Sequence, residues 1–205
     1  MSIVAVVLGS YLLGSVPFGY LLGRLAGKDI RLEGSHNIGA TNLWRVCGWK
    51  YGLPALFLDF AKGLVAVLAL GGLPDGGVPQ PYQAILAAVA SVLGHNFPVW
   101  LRFKGGKGVA TSAGAVAGLM WLPFLAAICV FILVVAVFHY ISLGSMVSSV
   151  ALVVACWFLL PQPLGGDLPL LIMAGALAVM IIVRHRGNIG RILAGTENRF
   201  PPPRK

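Results

Sequence analysis

Long apolar runs, separated by short polar or glycine- and proline-rich stretches, are the first pattern along this chain. Residues 3–23, 53–72 and 82–101 are three such runs. Each is near the roughly 20 residues that a helix needs to cross a bilayer core. A further apolar stretch, 109–160, is too long for one crossing. Pro123 and the polar group His139-Tyr140-Ile141-Ser142 divide it into 109–121, 124–138 and 144–160. A last run covers 169–184. The pattern predicts an all-α integral membrane protein, a bundle of seven transmembrane helices with short spans 4 and 5. It forms a single domain over 1–205, with loops at 24–52, 102–108 and 139–143 and a tail at 185–205.

Charge then orients the runs. All fifteen Lys and Arg residues fall in three segments: six within 24–62, three within 102–107 and six within 184–205. By the positive-inside rule these segments are cytoplasmic, so the N-terminus is outside and the C-terminus inside. The turns 73–81 and 161–169 carry only Asp75 and Asp167 and read as external. Residues 109–160 must therefore cross an odd number of times, and the turn His139–Ser145 arrives on the basic face. The N-terminal run has no basic residues before it and exceeds a signal h-region in length, so it reads as a retained span. The tail Pro201-Pro202-Pro203-Arg204-Lys205 reads as an extended end.

Composition narrows the partners. Apolar residues make up 58% of the chain and charged ones 10%, against about 25% charged in a soluble domain. A net charge of +9 beside so few charges points to lipid head groups or phosphorylated substrates. Nucleic acid is not expected, because the basic residues sit between spans and no recognition fold is visible. Cys47, Cys129 and Cys156 show no metal spacing, and their odd number argues against a disulfide framework. Gly9, Gly14, Gly19 and Gly23, every four or five positions in the first run, predict close helix packing.

Three cytoplasmic segments are polar, glycine-rich and basic. The first is Glu33-Gly34-Ser35-His36-Asn37-Ile38-Gly39-Ala40-Thr41-Asn42, followed by Arg45. Its amides and hydroxyls can form an anion-binding nest, or simply cap a helix. The second runs Gly94-His95-Asn96-Phe97-Pro98, then Phe103-Lys104-Gly105-Gly106-Lys107-Gly108-Val109-Ala110-Thr111. A glycine loop with two lysines opening an apolar helix suits phosphate: glycines let the backbone approach, and the helix dipole points at the anion. It is no Walker A loop, because Gly108 follows Lys107 where Ser or Thr is required. Lysines alone could be interfacial anchors, but anchoring does not call for Gly-Gly-Lys-Gly. The third is Arg184-His185-Arg186-Gly187-Asn188, with Arg191, Gly195, Thr196 and Glu197 beyond it. Anionic lipid could hold such a patch, although His185 between two arginines is richer than a lipid patch needs.

Lesser candidates are Asp59 and Lys62, three apart near the inner end of the second run and expected to pair on one helix face, and Ser142 in its turn. Asp29, Glu33, Asp59 and Glu197 are scattered, so no metal set is expected. No Gly-x-Ser-x-Gly elbow occurs, and no histidine is followed five residues later by Asp. A carboxylate–histidine base is not expected.

Taken together, Gly14 to Gly19, Gly34 to Asn42, Gly94 to Thr111 and Arg184 to Glu197 resemble the bacterial acyl-phosphate:glycerol-3-phosphate acyltransferase family, in order as well as content, over nearly the whole chain. The resemblance implies an enzyme of the bacterial inner membrane with its active site at the cytoplasmic face. It would move a fatty acyl group from acyl phosphate to the 1-hydroxyl of glycerol 3-phosphate, giving lysophosphatidic acid and inorganic phosphate. By position, Ser35, Asn37, Gly39, Thr41 and Asn42 look like one phosphate cradle, and Gly105, Gly106, Lys107, Gly108 and Thr111 like another. Lys104, Arg45, Ser142, His185 and Asn188 resemble the catalytic site. No cofactor and no metal are implied. The hydroxyl proton needs an acceptor, either the substrate's own phosphate or His185. A phosphate transporter, with basic residues nearer the midplane, and a lipid-binding scaffold are the competing readings.

Overall fold

Apolar side chains favour helix here because in lipid every backbone N–H and C=O must find its partner within the chain. The computed structural model describes residues 2–73 and 78–200, and all its regular elements are helical. Asp75 and the tail Pro201–Lys205 lie outside the described residues. The chain divides into two compact units, Met1–Leu119 and Met120–Lys205.

The first unit contains α1 (Ile3–Ser15), α2 (Phe18–Leu25), α3 (Ala40–Cys47), α4 (Trp49–Val65), α5 (Tyr82–Asn96) and α6 (Val109–Leu119). The expected first span is thus broken at Val16-Pro17, where proline has no N–H to continue the helix. The expected loop 24–52 contains α3 and the start of α4, which runs through Pro54 and widens into a π turn at Ala66–Leu70. Run 82–101 is helical only to Asn96, ahead of Pro98, and a short 3₁₀ turn Val99–Leu101 follows.

Two helix pairs cross backbone to backbone. A Cβ on Gly14 would overlap the Ser91 carbonyl of α5, and one on Gly94 would overlap the Tyr11 carbonyl of α1. Gly63 stands against the Thr111 carbonyl and Gly114 against that of Phe60, which joins α4 to α6 in the same reciprocal way. Packing of small residues, not chemistry, accounts for these glycines. Beneath the 27–39 loop, Ile30, Ile38, Leu43 and Ala55 form a buried cluster with Leu101 against it.

The second unit contains α7 (Trp121–Phe138), α8 (Ile141–Leu159), α9 (Leu168–Arg184) and α10 (Arg186–Leu193). Pro123 does not make the break expected of it. It sits in the first turn of α7, where a missing N–H costs nothing, and Met120, outside helical backbone, precedes the helix. His139, in the left-handed region at φ 60°, ends α7, and only His139 and Tyr140 separate it from α8. Ser142 therefore lies in the first turn of α8 rather than in a loop. Within the 185–205 tail, α10 turns off α9 at 57°.

By length and composition, Ile3–Leu25, Trp49–Leu70, Tyr82–Leu101, Trp121–Phe138 and Ile141–Leu159 can each cross a membrane, and α9 with α10 makes a sixth if that bent pair is one span. Val109–Leu119 has 11 residues, a rise of about 17 Å against roughly 30 Å of hydrocarbon.

Candidate active site in two polar clusters

In the first unit the glycine loop folds back over the end of α5. Pro98 stops the helix, and the Phe103 and Lys104 amides donate to the carbonyls of Pro98 and Leu101, at 2.9 and 3.1 Å. Arg102 and Phe103 are both left-handed, at φ 51° and 62°. For residues with a Cβ this costs roughly 1–2 kcal/mol each, and such strain collects at functional loops. The Gly106 amide then donates to the His95 carbonyl at 3.1 Å. A Cβ on Gly106 would run into the His95 ring, and one on Gly108 would press on the Asn96 side chain. Gly106 and Gly108 are buried, Lys107 is half-buried and Lys104 is exposed. Just inside α6, the Thr111 and Ser112 hydroxyls are buried and have no hydrogen-bond partner among the described residues.

The 33–42 segment is tied together by Asn42, itself 2% exposed. Its Nδ2 donates to the carbonyls of Ile30, Glu33 and Asn37, at 2.9, 3.1 and 2.9 Å. Its Oδ1 accepts from the Ser35 amide at 2.8 Å and from Arg45 Nη1 at 3.5 Å. Asn37 Oδ1 accepts from the Gly39 amide, ahead of α3. Asn42 is thus the keystone of the segment, with both ends of its amide engaged, and it presents Ser35 and Arg45. Gly34 is left-handed at φ 64°, where a Cβ would also overlap Asn42 Oδ1. Nearby, Arg31 donates to Asp29 through Nε and Nη2, at 2.9 and 2.6 Å. Those hydrogen bonds hold the Asp29 carboxyl down at about 2. With that pairing, Arg31 adds little positive field for a substrate.

Asp59 and Lys62 pair as expected, at 2.7 Å, both 2% exposed. His95 joins them, with Nδ1 3.0 Å from Lys62 Nζ and 3.6 Å from Asp59 Oδ1. The fold thus brings a carboxylate to within 3.6 Å of a histidine ring that no sequence spacing had paired with it. The partners are 36 positions apart and meet because α4 and α5 pack in one unit.

The second cluster centres on Glu197, which is not among the expected site residues. Its carboxylate accepts from Ser142 Oγ at 2.9 Å, Asn188 Nδ2 at 2.6 Å and Arg191 Nε at 2.7 Å. The only signal in the sequence was a single acid in a basic tail. The Phe200 amide, donating to the His139 carbonyl at 2.7 Å, holds the following stretch against the α7–α8 turn. His185, 2% exposed, has Nδ1 2.8 Å from the Ile181 carbonyl. A carbonyl only accepts, so Nδ1 carries a proton, and in the neutral ring Nε2 keeps the lone pair. Also in this unit, an apolar groove of about 860 Å³ runs from Ala126 and Val130 along α8 to Ile182 and Ile189.

Three comparisons bear on these clusters. A model of the family described as glycerol-3-phosphate acyltransferase matches residues 4–195. The glycerol-3-phosphate acyltransferase of Trichlorobacter lovleyi is 46% identical over 194 residues, covering 95% of each chain. That of Shouchella clausii is 44% identical over 201 residues, 98% of this chain and 97% of its own. The crystal structure of PlsY (YgiH), an integral membrane glycerol 3-phosphate acyltransferase, in its glycerol 3-phosphate form, matches with a TM-score of 0.88 at 38% identity, covering 98% of this chain and 96% of that one. The lysophosphatidic acid form of that protein gives 0.85 at 37%. Apolar helices around polar clusters, matched by such a structure, make this an all-helical integral membrane protein. The chain belongs to the glycerol-3-phosphate acyltransferase family.

Proposed function

We propose that this chain transfers a fatty acyl group from acyl phosphate to the 1-hydroxyl of glycerol 3-phosphate, releasing lysophosphatidic acid and inorganic phosphate. It would do so as a single domain of seven spans at the cytoplasmic face of a bacterial inner membrane, the orientation that the placement of its Lys and Arg residues favours. The observation that carries the reading is the glycine loop. It is strained, backed by His95 and Asn96, and opens α6 with two buried hydroxyls that have no hydrogen-bond partner among the described residues. A phosphate on these amides and hydroxyls would meet the positive end of the helix dipole.

In this mechanism the substrate hydroxyl oxygen attacks the acyl carbonyl carbon, the carbonyl–phosphate bond breaks, and phosphate departs with the bonding pair. Phosphate is a good leaving group, so no strong general acid is needed. Lys104, Lys107 and the loop amides stabilise the charge that develops on it. Ser35 and Arg45 hold the second phosphate, and Ser142 and Asn188 orient the polar head. Alignment of the two reactants supplies much of the rate. The hydroxyl proton passes to a phosphate oxygen of the substrate, and the lone pair on His185 Nε2 accepts a hydrogen bond. The groove along α8 suits an acyl chain.

Purified protein in lipid, given palmitoyl phosphate and glycerol 3-phosphate, is expected to release phosphate and lysophosphatidic acid in equal amounts, and to make none from the acyl-coenzyme A. No product from intact protein rejects the enzyme, uptake of glycerol 3-phosphate into vesicles without product favours a transporter, and turnover with the thioester alone rejects the donor. If His185→Gln abolishes turnover while glycerol 3-phosphate still binds, the histidine is the base and the substrate phosphate is not.

A further inference from the structure

Three buried groups of the first unit have no part in the mechanism above: Asp59 and Lys62 of α4, and His95 of α5. Lys62 Nζ is hydrogen-bonded to the Val16 carbonyl at 2.9 Å and to His95 Nδ1 at 3.0 Å, and forms an ion pair with Asp59 Oδ1 at 2.7 Å. The first of these exists because Pro17 breaks the helix and turns the Val16 carbonyl aside. An ammonium can only donate, so His95 Nδ1 accepts, and the ring proton stands at Nε2. At 3.6 Å, Asp59 is too far from the ring to hold that proton itself.

Nε2 faces the glycine loop. A Cβ added to Gly106 would overlap Nε2 and the two carbons beside it, and one added to Gly105 would overlap the His95 carbonyl and the Pro98 ring. The Gly106 amide donates to the His95 carbonyl at 3.1 Å. The residue that underlies Gly105–Gly106 is therefore the one whose tautomer Lys62 sets.

We propose that Asp59, Lys62 and His95 are positioning residues for the glycine loop. Lys62 locks His95 as the Nε2–H form, and that N–H and the ring plane hold Gly105–Gly106 in the shape that receives phosphate. Asp59 keeps the ammonium charged and in place. The inference rests on the reading of the loop as a phosphate site.

The two amide replacements of His95 separate this role from space filling. Asparagine carries an oxygen where Nδ1 was, so it satisfies Lys62 and offers nothing at the ε position. Glutamine carries an N–H near the ε position. We expect His95→Gln to keep KM for acyl phosphate within about threefold of wild type. His95→Asn should raise it about tenfold or more, the loss of about one hydrogen bond. In both, kcat should fall by a smaller factor. Equal KM values for the two variants, or a better asparagine, overturn the proposal. Lys107→Gln, run alongside, tests the underlying reading. If it leaves KM for both phosphate substrates unchanged, the loop is not the phosphate site; if it raises KM while His95→Asn does not, the loop reading stands and the positioning role fails. Should the His95 variants not fold, ¹⁵N-histidine NMR of the wild-type protein in nanodiscs decides. An Nε2–H signal from His95 that shifts when inorganic phosphate is added supports the proposal, and an Nδ1–H signal or no shift rejects it.

Discussion

His95 and His185 are both buried and both held at Nδ1, yet they carry the ring proton on opposite nitrogens. The partner decides. Lys62 can only donate, so His95 accepts at Nδ1 and offers N–H at Nε2; the Ile181 carbonyl can only accept, so His185 donates at Nδ1 and keeps a lone pair at Nε2. One ring is set by a buried ion pair in the first unit, the other by a helix carbonyl in the second. A histidine in a membrane helix is thus assigned by what lies behind it, and its neighbours in sequence say little.

The largest disruption of this comparison is Lys62→Met. It leaves the Asp59 carboxylate buried without its cation, which costs about 3–5 kcal/mol. The variant should lose most of its folded yield and melt well below wild type in detergent, while Asp59→Asn added to it restores much of both. Unchanged melting would show that the pair does not hold His95. Next is Glu197→Ala, which releases Ser142, Asn188 and Arg191 together; kcat should drop about 100-fold, the scale of a misplaced reacting group. Glu197→Gln keeps an oxygen acceptor and should lose about tenfold or less. A smaller effect comes at His185. Glutamine retains an acceptor at the ε position, so kcat should stay within about tenfold of wild type, the worth of one hydrogen bond; asparagine, with only the δ-side donor, should lose more. Steady-state rates with both substrates varied read these outcomes. The smallest effect is at the exposed pair. Asp29 is held down at about 2 from 3.8, so its contribution is present above about pH 4 and lost only as pH falls toward 2. Asp29→Asn should leave the pH–rate profile flat relative to wild type between about pH 5 and 9.

Much of this was legible in the chain and some was not, for separable reasons. Apolar length and glycine punctuation locate α8 and α9 to within three residues, because lipid enforces helix over such runs. Pro123 misled because proline breaks a helix only beyond the first turn. Asp59 and Lys62 could be paired by their i, i+3 spacing, whereas His95 reaches them only through packing between helices. Amides serve equally as ligands and as loop keystones, and the keystone role of Asn42 is visible only in its five hydrogen bonds. Glu197 stayed hidden because one carboxylate among basic residues resembles an ordinary surface pair until Ser142, 55 positions away, is seen on it.

The shortness of α6 carries a consequence for where water must go. A helix of 11 residues falls roughly 13 Å short of the hydrocarbon thickness, so in a membrane one of its ends lies below the level of the head groups. Polar backbone at that depth survives only where protein encloses it or an aqueous recess reaches it. If that end is the Lys104–Gly108 loop, the recess carries a water-soluble phosphate down to the level of the lipid ester linkages, and the acyl carbonyl need not rise out of the bilayer to be attacked. Host membranes of greater thickness would deepen the recess, and turnover measured across phosphatidylcholines of increasing chain length should fall as it does.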